Sequence, residues 1–163
     1  MRPTLRFAVD ATLGRLGRYL RSAGFDTWCQ HQSLHEDIFD RIDDERVILT
    51  RTRRLKWRFK NNPLIFIRDN DPFEQMLQVV RELNIKACDL NPFSRCLLCN
   101  EVILQVNREA VRGRVPAYVW HHHHPFFECG KCDRIYWAGS HHDRMVKQLA
   151  AIFIKRDEDT HER

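Results

Sequence analysis

The sequence predicts an α/β fold, a parallel-sheet domain followed by a small module built around a metal ion. Three observations carry this expectation. Short apolar segments alternate with helical periodicities through the first part of the chain. Two Cys-x-x-Cys pairs, Cys96/Cys99 and Cys129/Cys132, then appear where the sequence changes character. The length, 163 residues, suits one ordinary domain or two small ones sharing a modest core.

The elements follow in order. Leu5 to Val9 is short, apolar and bounded by Asp10, which reads as a buried strand. Leu13, Leu16 and Leu20 recur at helical spacing, with Gly24 where a helix C-cap belongs. Arg15, Arg18 and Arg21 lie three apart and are expected to share the opposite, wet face. Phe25 to Gln30 reads as a second strand. His35, Ile38, Phe39 and Ile42 outline a second helix. Arg46 to Thr50 and Leu64 to Ile67 are further strands. Asp71-Pro72-Phe73-Glu74 supplies an N-cap, an N1 proline and a capping-box acid. The helix it starts should carry Phe73, Met76, Leu77, Val80 and Leu83 inward.

Near residue 90 the chain passes to the second module. Val102 to Val106 and Val115 to Trp120 are strand-like, as is the aromatic Ile135-Tyr136-Trp137. Residues 141 to 154 have helical character, and Arg156 to Arg163 reads as a frayed tail. The expected division is therefore a first domain over 1–90, a metal module with its helix over 91–155, and a polar tail over 156–163.

Composition excludes several classes. The 43% hydrophobic content argues against disorder. No apolar run approaches the roughly 18 to 20 residues of a membrane span. Asp10 falls where a signal peptide needs apolar residues, so a cytoplasmic location is expected. In that reducing compartment the paired cysteines read as metal ligands rather than disulfides. Two such knuckles complete a tetrahedron for Zn²⁺, and four ligands leave no open position, so the zinc is structural. Cys29 and Cys88 are left over and are expected in the core.

The net charge of +5 matters through its distribution. Arg51, Arg53, Arg54, Lys56, Arg58 and Lys60 fall within ten residues, interleaved with Trp57 and Phe59. Cations could neutralise nucleic-acid phosphates there while aromatics stack on bases; an amphipathic surface helix is the plainer alternative. Carboxylates also gather near predicted element ends: Asp10, Glu36, Asp37, Asp69 and Asp71. A hard divalent cation needs several such acids around one cleft. Asp10 and Asp71 equally suit N-caps, and Glu36 and Asp37 suit a first helical turn. His121 to His124 is expected to be a solvated loop without a role, and His141 and His142 follow Gly139-Ser140.

Taken together, several blocks resemble the Mut-seven C-terminal RNase domain family, a PIN-like nuclease fold joined to a zinc ribbon. They are Val9-Asp10-x-x-Leu13-Gly14-Arg15-Leu16, Val47-Ile48-Leu49-Thr50-Arg51 and Glu74-Gln75. Phe93-Ser94-Arg95-Cys96-x-x-Cys99-Asn100, Val115-Pro116, Cys129-x-x-Cys132 and Tyr136-Trp137-x-Gly139-Ser140-His141 continue the similarity. The resemblance implies metal-dependent cleavage of RNA. Asp10, with Glu36 or Asp37, would hold Mg²⁺ or Mn²⁺, and the four cysteines would hold zinc. Arg15, Arg51, Arg53, Arg54, Lys56, Trp57 and Arg58 would contact RNA. One departure stands out. The family's strand motif reads Leu-Thr-Arg-Asp, whereas this chain has Thr52 at the last position. A neutral hydroxyl is a far poorer ligand for Mg²⁺ than a carboxylate. The alternative is therefore an RNA-binding or adaptor protein of the same fold with a decayed cleavage site.

Overall fold

The computed structural model describes residues 5–30, 42, 45–55 and 62–161. The helix expected over residues 35–42, with Glu36 and Asp37, lies outside the described residues apart from Ile42, as do Lys56, Trp57 and Arg58. Strands β1 (Arg6–Val9), β2 (Asp26–Cys29), β3 (Val47–Thr50) and β4 (Leu64–Phe66) form a parallel sheet in the order β2-β1-β3-β4. The central strands β1 and β3 are buried almost throughout, which is why they read as apolar runs rather than alternations. From β1 the chain moves to β2 on one side, while β3 lies on the other. The crevice for a ligand in such a sheet opens at the carboxyl ends of the two strands flanking this reversal. Asp10 follows β1 there, and Arg51 follows β3.

Helix α1 (Gly14–Ser22) connects β1 to β2 and buries Leu16 and Leu20 beneath the sheet, with Leu13 just before it. It stops at Gly24, whose φ of +96° favours glycine. A Cβ there would also lie 2.1 Å from the Asn91 carbonyl oxygen, so the linker to the second module crosses tightly over this turn. Arg15 and Arg18 are exposed as expected, but Arg21 is 5% exposed. It turns from the wet face because three carbonyls receive it: Thr27 at 2.9 Å, Leu97 at 3.0 Å and Leu98 at 2.7 Å.

Helix α2 (Pro72–Glu82) begins as the sequence predicts, with the Asp71 carboxylate accepting from the Phe73 and Glu74 amides. Met76, Leu77, Val79 and Val80 are fully buried, while Phe73 and Leu83 pack at the core's edge. Cys29 packs against that core, but Cys88 is exposed on the short 3-10 turn Ala87–Asp89, contrary to expectation.

The second module is an antiparallel sheet of β5 (Ile103–Val106), β6 (Phe126–Cys129) and β7 (Ile135–Trp137), in that order. Val115 to Trp120, expected as a strand, is instead mostly helix α3 (Ala117–His122). Pro116 immediately precedes it, and Val119 from the helix joins Val111 and Val115 from the preceding turns in packing on Phe126. His121 and His122 form the last turn of α3 rather than a loop.

Helix α4 (Ser140–His161) runs through the segment expected to fray. It does not stay with the ribbon. Leu149 and Ile152 enter the core of the parallel sheet, Lys155 pairs with Glu74 at 2.5 Å, and Arg156 donates to the Ile85 carbonyl at 2.6 Å. Burying an apolar side chain such as Leu149 or Ile152 stabilises by roughly 1.5–3 kcal/mol, which with the two polar contacts holds the helix into the start of the expected tail. Among the described residues, no helix is long and apolar enough to cross a membrane.

Candidate functional site

The four paired cysteines converge. Cys99 Sγ lies 3.3 Å from Cys96 Sγ, 3.3 Å from Cys129 Sγ and 3.6 Å from Cys132 Sγ, and Cys96 lies 3.6 Å from Cys132. A tetrahedron of thiolates around zinc, with Zn–S near 2.3 Å, needs sulfur separations of about 3.8 Å. The match needs only a slight outward adjustment, so this set can hold a metal ion such as zinc. The two knuckles share one backbone design. Cys96 N–H donates to Glu101 and Asn100 N–H to Cys96, at 2.7 and 3.0 Å; Cys129 donates to Arg134 and Asp133 to Cys129, at 3.0 and 2.9 Å. The residue after each pair, Asn100 or Asp133, takes positive φ, a conformation that Asn and Asp tolerate.

Tyr136 on β7 braces the centre. Its hydroxyl lies 3.0 Å from Cys96 Sγ and accepts from the Leu97 amide at 3.2 Å. Burial works to raise the Cys96 thiol. The Cys99 amide, the Tyr136 hydroxyl and the Cys99 thiol outweigh it and bring Cys96 down to about 6. Burial, then hydrogen bonds to Cys129 and Cys96, push Cys99 up to about 12. These hydrogen bonds thus favour the thiolate of Cys96, the form that a metal binds.

The second constellation centres on Asp10. It is 3% exposed, and its carboxylate accepts four hydrogen bonds. Oδ1 takes the Thr12 amide at 2.9 Å and the Thr12 hydroxyl at 2.5 Å. Oδ2 takes the Thr50 hydroxyl at 2.5 Å and the Arg51 amide at 2.9 Å. Asp10 therefore caps the turn after β1 and stitches it to the end of β3. Thr52 is exposed and donates its amide to the Thr50 hydroxyl at 2.9 Å. Among the described residues, the four cysteines are the group of three or more Cys, His, Asp or Glu side chains gathered as metal ligands, and Asp10 joins no such group. A carboxylate with its lone pairs already engaged, beside neutral hydroxyls and an arginine, does not by itself fit a hard dication.

A cleft of about 520 Å³ opens at the carboxyl ends of the strands. Its floor is the Ala11–Gly14 turn, Arg15, Arg18 and Arg21 come from α1, and Gln30 and Asn70 lie at its strand-end rim. Leu97 and Leu98 of the first knuckle form the opposite wall. Cys29 lines it too, with burial pushing its thiol up, so it is a neutral wall group. Of the residues expected to meet RNA, Arg15 lies in this cleft. Arg51 is half-buried and hydrogen-bonds the Asn70 side chain; Arg53 and Arg54 are exposed, with Arg53 over the Phe66 ring at 6.0 Å. Asp69 and Asp71 serve local turns at the start of α2. Arg18, Gln30 and Asn70 were missed as cleft groups. The three-residue spacing of Arg15 and Arg18 was the available signal for Arg18, but nothing local marks Gln30 or Asn70.

Fold and site together define a mixed α/β protein with a four-cysteine ribbon walling one side of a basic cleft. The chain belongs to the Mut7-C RNAse domain family, whose model matches residues 5–149. No match emerged among curated proteins or among solved structures. Family membership implies a nuclease-like role and interaction with RNA.

Proposed function

We propose that the chain binds RNA in the cleft between the parallel sheet and the ribbon, with metal-dependent cleavage weak or lost. The carrying observation is the cleft's composition: Arg15 and Arg18 project into it from α1, and among the described residues no carboxylate lines it. Fixed cations along such a groove neutralise phosphates and make affinity fall with salt. The four cysteines hold one structural zinc ion, which braces the ribbon wall and suits a reduced, cytoplasmic chain.

A second reading is a PIN-like ribonuclease that hydrolyses RNA phosphodiesters with Mg²⁺ or Mn²⁺. Family membership favours it, as does the position of Asp10 at the switch point of the sheet. It requires Glu36 or Asp37 to supply carboxylates that the described residues around Asp10 lack.

The deciding experiment pairs binding with cleavage. Fluorescence anisotropy with a labelled single-stranded RNA is measured across a salt series for the wild type and for the Arg15→Glu/Arg18→Glu double variant. Cleavage is followed with Mn²⁺ for the wild type, Asp10→Asn and Thr52→Asp. Salt-sensitive wild-type binding that drops about tenfold or more in the double variant supports the cleft. Gain of cleavage in Thr52→Asp over a nearly inert wild type supports decay. Robust wild-type cleavage, lost in Asp10→Asn, replaces the first reading by the second.

A further inference from the structure

The ribbon carries a second basic and aromatic surface, remote in sequence from the cleft's arginines and unused by the reading above. Between residues 107 and 125 the chain has Arg108, Arg112, Arg114 and the run His121 to His124, against a single acid, Glu109. Arg108 lies on the 3-10 turn Arg108–Val111 with Arg112 just after it, and His121 and His122 close α3. Arg112 pairs with Glu109 at 3.6 Å across the exposed surface, and Arg114 is held by Glu128. Trp120 is the centre. The Arg108 and Arg112 guanidiniums lie over its ring at 4.3 and 5.1 Å, and the His121 ring meets it edge-on at 4.9 Å. Its indole N–H donates to the Arg108 carbonyl at 3.0 Å, so the indole is fixed.

Beside this clasp stands Tyr118, 67% exposed although it is a large aromatic on a short helix. Its ring tilts against that of His122 at 4.7 Å, with His123 edge-on at 6.1 Å. His123 is anchored from below, its Nδ1 being 2.7 Å from the Ala138 carbonyl. Val119 points the other way, into the ribbon core. The inward side of α3 is thus used by Val119 and, at its edge, Trp120, while the outward side presents the exposed Tyr118 and His122 rings beside Arg112.

We infer that this face of the ribbon binds single-stranded RNA, with bases stacking on Tyr118 and His122 and phosphates meeting Arg112. The chemistry is that of sequence-tolerant single-strand platforms: an exposed π-face for any base, flanked by cations that track the backbone. Arg108 acts behind the platform, since it lies over Trp120 and donates to the His121 carbonyl at 3.3 Å. The site does not depend on the cleft, and the two can fail separately.

The test uses the zinc-loaded full chain and a fluorescent oligouridine long enough to reach beyond one binding groove. Tyr118→Ala and His122→Ala should each weaken binding by about five- to a hundredfold, the range for loss of one stacked base. Arg112→Ala should lower the slope of log affinity against log salt by about 0.7, the loss of one single-strand phosphate contact. Zinc content and the urea midpoint serve as folding controls, which the exposed Tyr118 and Arg112 should leave unchanged. Wild-type affinity and salt slope in all three variants overturn the site, even if Arg15→Glu/Arg18→Glu abolishes binding. Competition by polyglutamate as effective per charge as RNA also overturns it, because a merely electrostatic surface for acidic proteins would not need the rings.

Discussion

The Asn100 side chain bridges the first cysteine knuckle to the edge of the parallel sheet, donating to the Asp26 carboxylate at 2.6 Å while accepting from the Thr27 amide at 2.9 Å. Asp26 in turn holds Arg46 through two hydrogen bonds, at 3.0 and 2.9 Å. The ribbon is therefore joined to the sheet by a short polar chain, alongside the Arg21 contacts to Leu97 and Leu98.

Asn100→Ala should loosen this junction. It strands the buried Thr27 amide, which costs about 1–3 kcal/mol, and puts a Cβ-bearing residue without local hydrogen bonding at φ +68°. Asn100→Gly keeps the conformation but not the bonds. Urea midpoints should fall for both, and further for Ala; an unchanged midpoint in both removes the bridge from the account.

Acid should act through the same chain. Burial raises the Asp26 carboxyl, but hydrogen bonds from Arg46 and Asn100 outweigh it and hold it below the ordinary carboxylate value. A depressed folded value gives stability that is present above the unfolded pKa, near about 4, and lost as pH falls through the folded one. Thermal melts from neutral pH downward should therefore decline below about pH 4, and Asp26→Asn should flatten that decline.

Removing one ligand should unmake the ribbon. Wild-type protein should carry a single equivalent of zinc by atomic absorption, and Cys129→Ser should carry little. Hydrogen exchange should then rise over β5 to β7 far more than over β1 and β3. A fully protected ribbon without zinc excludes a folding role for the metal.

Asp10→Asn should lower stability as well as any activity. A carboxamide has one acceptor oxygen where the native side chain receives four donors, so at least one amide or hydroxyl is orphaned at a cost of about 1–3 kcal/mol. Chemical denaturation of the variant checks this, and it must precede any catalytic interpretation of Asp10.

Gly24→Ala should be the most severe of the glycine changes. The Asn91 carbonyl oxygen 2.1 Å from the new Cβ is backbone, and φ +96° is strained for alanine. A loss of about 3 kcal/mol or more in the urea titration is expected, with the damage centred on the α1–ribbon junction.

What was legible in the sequence was what local spacing controls. Asp71-Pro72 announces a helix start because its partners are the next two amides. The cysteine pairs announce a metal centre because two residues are what a knuckle needs. Arg21 was misread since its receiving carbonyls, Leu97 and Leu98, lie 76 and 77 residues away. Val115 to Trp120 misled because its β-branched residues suggest a strand, while the short helix is held by the packing of Val119 on Phe126, a contact outside that segment. Around Asp10 the cap was legible from its place just before a helical periodicity. The bonds from Thr50 and Arg51 depend on β3 pairing beside β1, which no local pattern encodes.

The return of α4 to the first core has a consequence for the order of assembly. Leu149 and Ile152 pack among core residues made much earlier, while the cysteine ribbon lies between in sequence. During synthesis the ribbon can close around its metal before the sheet that precedes it is sealed. The metal-binding segment would thus mature inside a still-open domain, with a greasy seam exposed until residue 152 has emerged. Of the two units, the one begun first would be finished last.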